Sequence, residues 1–393
     1  MISVEQAIAI VQNNSSPTQS SEVISLSESV GHVLYSDIVA PINMPPFRQS
    51  AMDGYALNTH EASTYTLTGE VKAGDNHHPK LNIGEAVRIF TGAPVPDSAN
   101  AVIMQERVSV NNSQLTLESK VSLGENIRPL GEQVSKGQIA LTKGTLLTPA
   151  AIAFLNSLGL IEVSVYQKPS IAIVVTGNEL AEAGQGLSHG QIYESNAGML
   201  QAALKNLGYL KVSTYKVADD YSKTLNLLDR VINSHDVVLV SGGISVGDYD
   251  FVGAALQELN VEQLFYKVKQ KPGKPLFFGK KSQKTIFALP GNPAAALSCF
   301  YIYIHIALEK LSGNLNFSFT QIKAKSVSNY IKKGDRGQFL KALYSNGKVE
   351  ILDGQSSSML HTFALANALV YLPETADSIK TNDPVEVVLL PIN

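Results

Sequence analysis

The chain has 393 residues, of which 44% are hydrophobic and 17% charged. At roughly 100–200 residues per domain, that length makes two to four domains, each able to bury a core. A net charge of −3 implies no general affinity for nucleic acid.

The opening segment, MISVEQAIAIVQNNSS, lacks a basic n-region and a cleavage site and reads as a short amphipathic helix rather than a signal peptide. After a polar break at Asn13 to Ser16, SEVISLSESVGHVLYSDIVA reads as more helix, to about Ala40. From Pro41 to Arg128 helical periodicity disappears. Pieces such as YTLTGEV, EAVRIFTG and SQLTLES alternate with Gly, Pro and Asn turns, which predicts an all-β insertion over 41–129. The flanking pieces, 1–40 and 130–167, are expected to form one discontinuous domain, with a helix starting near Thr148 and Pro149 at its first position.

From Gln167 the texture changes. SIAIVVTGNEL, DVVLVSGGISVGD and TIFALPGNPAAALS each run from an apolar, β-branched strand into a loop bearing Gly and Asn. Helical stretches alternate with them, as in an open parallel sheet covered on both faces, so 168–313 is expected to be an α/β domain. The apolar run Ala294 to Leu308 is too short for a bilayer, which needs about 20 residues, and reads as a buried helix. Cys299 lies within it; a lone cysteine excludes an intrachain disulfide, fits a reducing compartment and reads as a packing residue. The remainder, 314–393, is β again, with a hairpin at Asn346-Gly347 and a terminal strand in DPVEVVLLP. The fold class is therefore multidomain α/β plus β: a parallel-sheet domain, a discontinuous domain carrying a β insertion, and a small C-terminal β domain. Nothing marks a membrane span or a zinc cluster, and a cytoplasmic location is expected.

Three loops of the parallel sheet should share one edge, where ligands of such sheets collect. TGNEL brings Glu179. SGGISVGDYD brings Ser241, Gly242, Gly243, Ser245, Asp248 and Asp250. LPGNP brings Pro290, Asn292 and Pro293 just before a helix, whose first N–H groups receive anions. Lys271 and Lys274, in KQKPGKP, add cationic heads for a phosphate. Carboxylates beside an anion site make sense where a divalent cation bridges them, as Mg²⁺ is held by one or two carboxylates plus substrate oxygens. Any one such loop is also an ordinary turn, and Asp248 suits a helix cap; the combination points to a ligand. No GxxxxGK[ST] and no GxGxxG opening a helix is present. The insertion holds a second dense stretch, MPPFRQSAMDGYAL, with Asp53, and a third, TGAPVP, where the donors of Thr91 suit an oxyanion or a rigid turn.

In order, PPFRQSAMDGYA, TGAPVP…AVIMQE, NIRPLGE, TGNEL, SGGISVGDYD, KPGKP, LPGNPAAAL and SSSML…LANALVYLP resemble the MoeA family of molybdopterin molybdenumtransferases and the similar E domain of gephyrin, over nearly the whole chain. The resemblance implies insertion of molybdenum, from molybdate, into adenylylated molybdopterin with release of AMP, assisted by Mg²⁺. It places Asp53 and Thr91 on the substrate or molybdate side and Glu179, Asp219 and Asp250 on the parallel-sheet side, with Asp250 and Asp248 holding metal. Pro290 and Pro293 shape the LPGNP loop. Asp219 rests on VADDYSKTL, where Asp219 or Asp220 equally suits a helix cap. The resemblance also implies a homodimer, with the insertion of one subunit facing the parallel sheet of the other, and a molybdopterin adenylyltransferase as supplier of the substrate. Two positions depart from the family pattern: Asn178 and Gln133 stand where an acid is usual. Three other functions fit parts of the pattern: a non-catalytic scaffold on the same fold, a diverged paralogue using tungstate, and a nucleotide-binding adenylylating protein. The last would leave SAMDGYA without a role.

Overall fold

The computed structural model describes residues 1–244 and 251–392. Contacts divide the chain into two units. One comprises Met1–Glu22, Gly31–Val33 and Tyr166–Asn393; the other comprises Val23–Val30 and Leu34–Val165.

The first unit is organised by a six-stranded sheet in the order Val212–Val217, Ile171–Thr176, Val237–Ser241, Lys284–Leu289, Phe277–Lys281, Glu262–Tyr266. The first four strands are parallel; Phe277–Lys281 runs antiparallel to both of its neighbours, Lys284–Leu289 and Glu262–Tyr266. The central strands read as unbroken apolar runs because both faces are covered. Ile171, Ile173 and Val175 pack on one face with Leu200 and Leu204; Ala172 and Val174 pack on the other with Leu228 and Val231. From Ile171–Thr176 the chain crosses to one side, to Val212–Val217, then returns to the other side at Val237–Ser241. Strand order therefore reverses between Ile171–Thr176 and Val237–Ser241, and the crevice at their carboxyl ends is where such a sheet takes a ligand.

The opening helix, Val4–Asn13, begins with a capping box in which Ser3 and Gln6 exchange side-chain-to-backbone hydrogen bonds of 3.1 and 3.0 Å. The apolar run expected as a buried helix is one: Pro293–Leu311 is helical throughout, 19 residues long, and 89% buried within the protein over its most apolar window. Within it, burial pushes the Cys299 thiol up to about 12, which keeps it protonated and suits packing rather than nucleophilic chemistry. Farther along, the strands Gly337–Ser345, Lys348–Ile351, Gln321–Ser326, Pro384–Leu389 and Ala368–Leu372 close into a ring, the last pairing back to the first. Asn346 and Gly347 link the first two with φ of 49° and 77°, the paired positive values of a type I′ turn.

Asp236 opens the central strand. Burial pushes its carboxyl up, but hydrogen bonds from the Ser170 hydroxyl and amide and from Lys284 outweigh that and hold it below its ordinary 3.8. A depressed carboxyl stabilises the fold above its unfolded value and loses that contribution as pH falls through the folded one. Asp236→Asn is therefore expected to flatten the acid limb of a stability-versus-pH curve below about pH 4, read by urea unfolding; an unchanged acid limb would refute the assignment.

In the second unit a six-stranded sheet runs in the order Ala101–Met104, Gly54–Leu57, Glu85–Ile89, Thr64–Val71, Gln114–Leu117, Val108–Asn111, as expected of a β insertion. The helix Pro149–Ser157 follows the Thr148 cap, whose hydroxyl accepts from Ala151 N at 3.2 Å. The helical expectation for residues 21–40 is corrected. Ser21–Ser25 is a strand with alternating exposure, followed by a short 3₁₀ turn at Leu26–Glu28 and another strand at Ile38–Val39. The adjacent β-branched residues Val23 and Ile24 favour extension over helix.

Candidate functional site

At the strand-order switch of the first unit lies a cavity of about 800 Å³. Thr176, Glu179, Ser241, Gly242, Gly243 and Ile244 line it from the first two loops, Pro290, Gly291, Asn292 and Pro293 from the third, and Asp219 from the loop after Val212–Val217. The three loops meet there because their strands are neighbours in parallel register, Val174 beside Val240 and Val240 beside Ala288. Close approach requires glycine at the centre. A Cβ on Gly242, whose φ is +97°, would come within 2.8 Å of the Thr176 carbonyl oxygen.

The acids are arranged by specific bonds. Asp220 caps the helix Tyr221–Ser234 by accepting from Lys223 N at 2.8 Å, which leaves Asp219 for the cavity. Asp219 and Asn178 bind each other reciprocally: Asn178 N donates to Asp219 Oδ2 at 3.2 Å, and Asp219 N donates to Asn178 Oδ1 at 3.1 Å. The Asn178 carbonyl thus supplies the acceptor that a carboxylate would have supplied, and the amide costs this bond nothing. A Cβ on Gly177 would lie 2.7 Å from Glu179 Oε2, so the Glu179 carboxylate folds back over that glycine at the cavity wall.

Several wall residues were not singled out from the sequence. Glu194 lines the cavity and accepts from Ala197 N at 2.9 Å, capping the helix Asn196–Asn206. Asn196 lines it too, with its Nδ2 bound to Ser241 Oγ and to the Gly291 carbonyl. Their signal, ESNAG before an amphipathic stretch, reads as a helix start and nothing more. Ser358 contributes from the SSSML segment. That segment is held by Lys341, only 2% exposed, whose Nζ donates to the carbonyls of Gly354, Ser356 and Met359 at 2.7, 3.1 and 3.0 Å. Asn292 Nδ2 reaches Ser357 Oγ at 3.2 Å.

Other expected residues are not among the described residues that line the cavity. Among the described residues the lining includes Pro275 but neither Lys271 nor Lys274. Gln270–Lys271 is instead a short strand pinned in register to Gly337–Gln338, and Lys274 is exposed. Ser245, Asp248 and Asp250 fall outside the described residues. Asp53 and Thr91 belong to the second unit, where they meet each other: Asp53 Oδ1 accepts from Thr91 N at 2.7 Å and from Thr91 Oγ1 at 2.9 Å. These two bonds, from the amide first, hold the Asp53 carboxyl below its ordinary value, with Arg88 adding a smaller pull. Both Thr91 donors, which suit an oxyanion or a rigid turn, are engaged here by Asp53.

The cavity's donor set suits a hard cation. Glu179, Asp219 and Glu194 offer carboxylate oxygens, and among the described residues no thiolate or imidazole lines the wall. Among the described residues no cluster of three or more acids, histidines or cysteines forms a closed metal cage. Mg²⁺ takes one or two carboxylates and completes its shell with substrate oxygens, and the carboxylates of this wall fit that donor chemistry.

Comparison with known proteins agrees with this layout. Residues 2–159 match the MoeA N-terminal region (domain I and II), 172–310 a probable molybdopterin binding domain, and 323–390 the MoeA C-terminal region (domain IV). The chain is 32% identical to a molybdopterin molybdenumtransferase of Haemophilus influenzae, over 98% of each chain. It is likewise 32% identical to one of Staphylococcus aureus, over 99% of this chain and 95% of the relative. The crystal structure of a molybdopterin biosynthesis MoeA protein from Pyrococcus horikoshii superposes with a TM-score of 0.85 at 30% identity, covering 99% of this chain and all of that one. This chain belongs to the MoeA family.

Proposed function

We propose that the chain is a molybdopterin molybdenumtransferase, transferring molybdenum from molybdate to the dithiolene of adenylylated molybdopterin and releasing AMP. The observation that carries this reading is the cavity at the strand-order switch, where a glycine-lined, anion-tolerant wall stands directly beside Glu179 and Asp219. Ser241, Gly242, Gly243 and Asn292 offer hydroxyl, backbone and amide donors for the phosphates of the substrate. Glu179, Asp219 and Glu194, together with Asp250 and Asp248 of the neighbouring segment, are the proposed oxygen donors to Mg²⁺. That ion, when bound, offsets the charge on the phosphates and on the departing AMP. The protein's own part is positioning: Pro290 and Pro293 stiffen the third loop, and the Asp219–Asn178 pair fixes the first. Lys271 and Lys274 are proposed to serve phosphate recognition at the cavity's approach rather than in its wall.

On the same reading the second unit contributes Asp53 and Thr91 to the molybdate side, and the protein works as a homodimer in the cytoplasm, supplied by an adenylyltransferase. The division into 1–40 with 130–167, 41–129, 168–313 and 314–393 is proposed as its domain structure. Retention of Asp53, Glu179 and Asp250 together favours the enzyme over a scaffold, which needs none of the three.

The test is reconstitution. Protein incubated with adenylylated molybdopterin, molybdate and Mg²⁺ is expected to generate a product that activates a cofactor-free molybdoenzyme. Failure with molybdate under conditions where the substrate binds would overturn the enzymatic reading and leave a scaffold.

A further inference from the structure

Asn196 stands at the start of its helix, but its side chain does not cap that helix; Glu194 does. The Asn196 amide turns instead across the cavity wall, 9% exposed. Its Nδ2 donates one hydrogen to Ser241 Oγ at 2.8 Å and the other to the Gly291 carbonyl at 2.7 Å. The Gly291 carbonyl can only accept, so the atom facing it must be the amide nitrogen, and the orientation of Asn196 follows from chemistry. Oδ1 then points away and has no partner among the described residues.

The consequence falls on Ser241, which is 3% exposed. A hydroxyl has one hydrogen to give and lone pairs to receive with. Asn196 occupies a lone pair, and among the described residues nothing accepts the Ser241 hydrogen. That hydrogen is left for whatever enters the cavity, and an acceptor such as a phosphate oxygen is the group that completes it. The same amide joins two loops at their closest approach, where a Cβ on Gly291 would lie 3.9 Å from Gly242 Cα.

We propose that Asn196 is a positioning residue: it polarises the Ser241 hydroxyl as an outward donor to a phosphate of the ligand and locks the SGG loop to the LPGNP loop. This rests on the reading of the cavity as an adenylate site. Asn196→Asp is nearly isosteric but reverses the polarity. A carboxylate there accepts the Ser241 hydrogen, turning it away from the ligand, and faces the Gly291 carbonyl with another acceptor.

The experiment is a double-mutant cycle by titration calorimetry, with AMP and adenosine as probes, on wild type, N196D, S241A and N196D/S241A, each checked for an intact thermal transition. AMP affinity is expected to fall about tenfold or more in each single variant, and the double variant should be no weaker than the weaker single by more than about threefold. Adenosine, which lacks the phosphate, should lose little, whereas a merely structural defect would weaken both probes. Should N196D fail to fold, Asn196→Ser takes its place with the same expectations. Retention of AMP affinity by N196D, or losses that add in the double variant, would overturn the inference while leaving the adenylate site standing. A wild type that binds no AMP would remove the adenylate reading and this inference with it.

Discussion

Gly54→Ala is expected to destabilise the unit that carries it by roughly 3–5 kcal/mol, at the severe end of single substitutions. Gly54 sits in the middle of the insertion's sheet, paired to Ile89 on one side and Met104 on the other. A Cβ there would lie 1.9 Å from the Ile103 carbonyl oxygen, 2.8 Å from its carbon and 3.1 Å from Met104 Cα. These are backbone atoms locked in a ladder, so no rotamer change relieves the clash and the strands must separate. The neighbouring Asp53 would move with them. Gly186→Ala is the matched control, because a Cβ there meets nothing within 4 Å; it should stay within about 0.5 kcal/mol of wild type. Chemical denaturation of the three proteins decides the matter, and a Gly54→Ala variant as stable as the control would contradict the packing described.

Asp53→Ala is expected to cut turnover about a hundredfold while leaving the protein folded, because misplacing a group by an ångström costs that much. Asp53 is exposed, so its removal uncovers no core. What it removes is the brace on Thr91, whose amide and hydroxyl both donate to the one carboxylate oxygen. Thr91→Val should therefore lose activity in the same direction, and the double variant should be little worse than Asp53→Ala alone, as for residues that act as one device. Fully additive losses would mean that the two residues act separately. The depressed carboxyl adds a further expectation: since Thr91 holds Asp53 in its charged form, the brace should persist below the ordinary 3.8 of an aspartate, so activity lost on mild acidification has another source. If the protein works as the proposed homodimer with the insertion of one subunit serving the sheet of its partner, mixing Asp53→Ala with Asp250→Ala subunits should restore activity that neither has alone.

What could be read in advance divides along physical lines. Ile171–Thr176 and Val237–Ser241 were legible because a strand buried on both faces must be apolar at every position, and the glycine or asparagine after each marks where it stops. The hairpin at Asn346 and Gly347 was legible because only such residues tolerate two consecutive positive φ values. Ser21–Ser25 was misread because five residues carry too little periodicity to separate strand from helix when serines flank them. Asp219 and Asp220 were indistinguishable until the cap bond to Lys223 N showed which was occupied. Asn196 escaped notice for a different reason. Its role depends on two loops 45 and 95 residues away in sequence, and no local pattern reports such a meeting. Lys271 was expected in the site from its charge and its place in KQKPGKP; backbone pairing to Gly337–Gln338 fixes where its strand sits.

As proposed, this chain couples molybdate to release of AMP from adenylylated molybdopterin. The most direct measurement follows AMP over time, with purified protein, that substrate and Mg²⁺, with and without molybdate, and with Asp250→Ala in parallel. AMP release that requires molybdate and is lost in the variant is expected. Binding of the adenylate by wild-type protein without any molybdate-dependent release would contradict it.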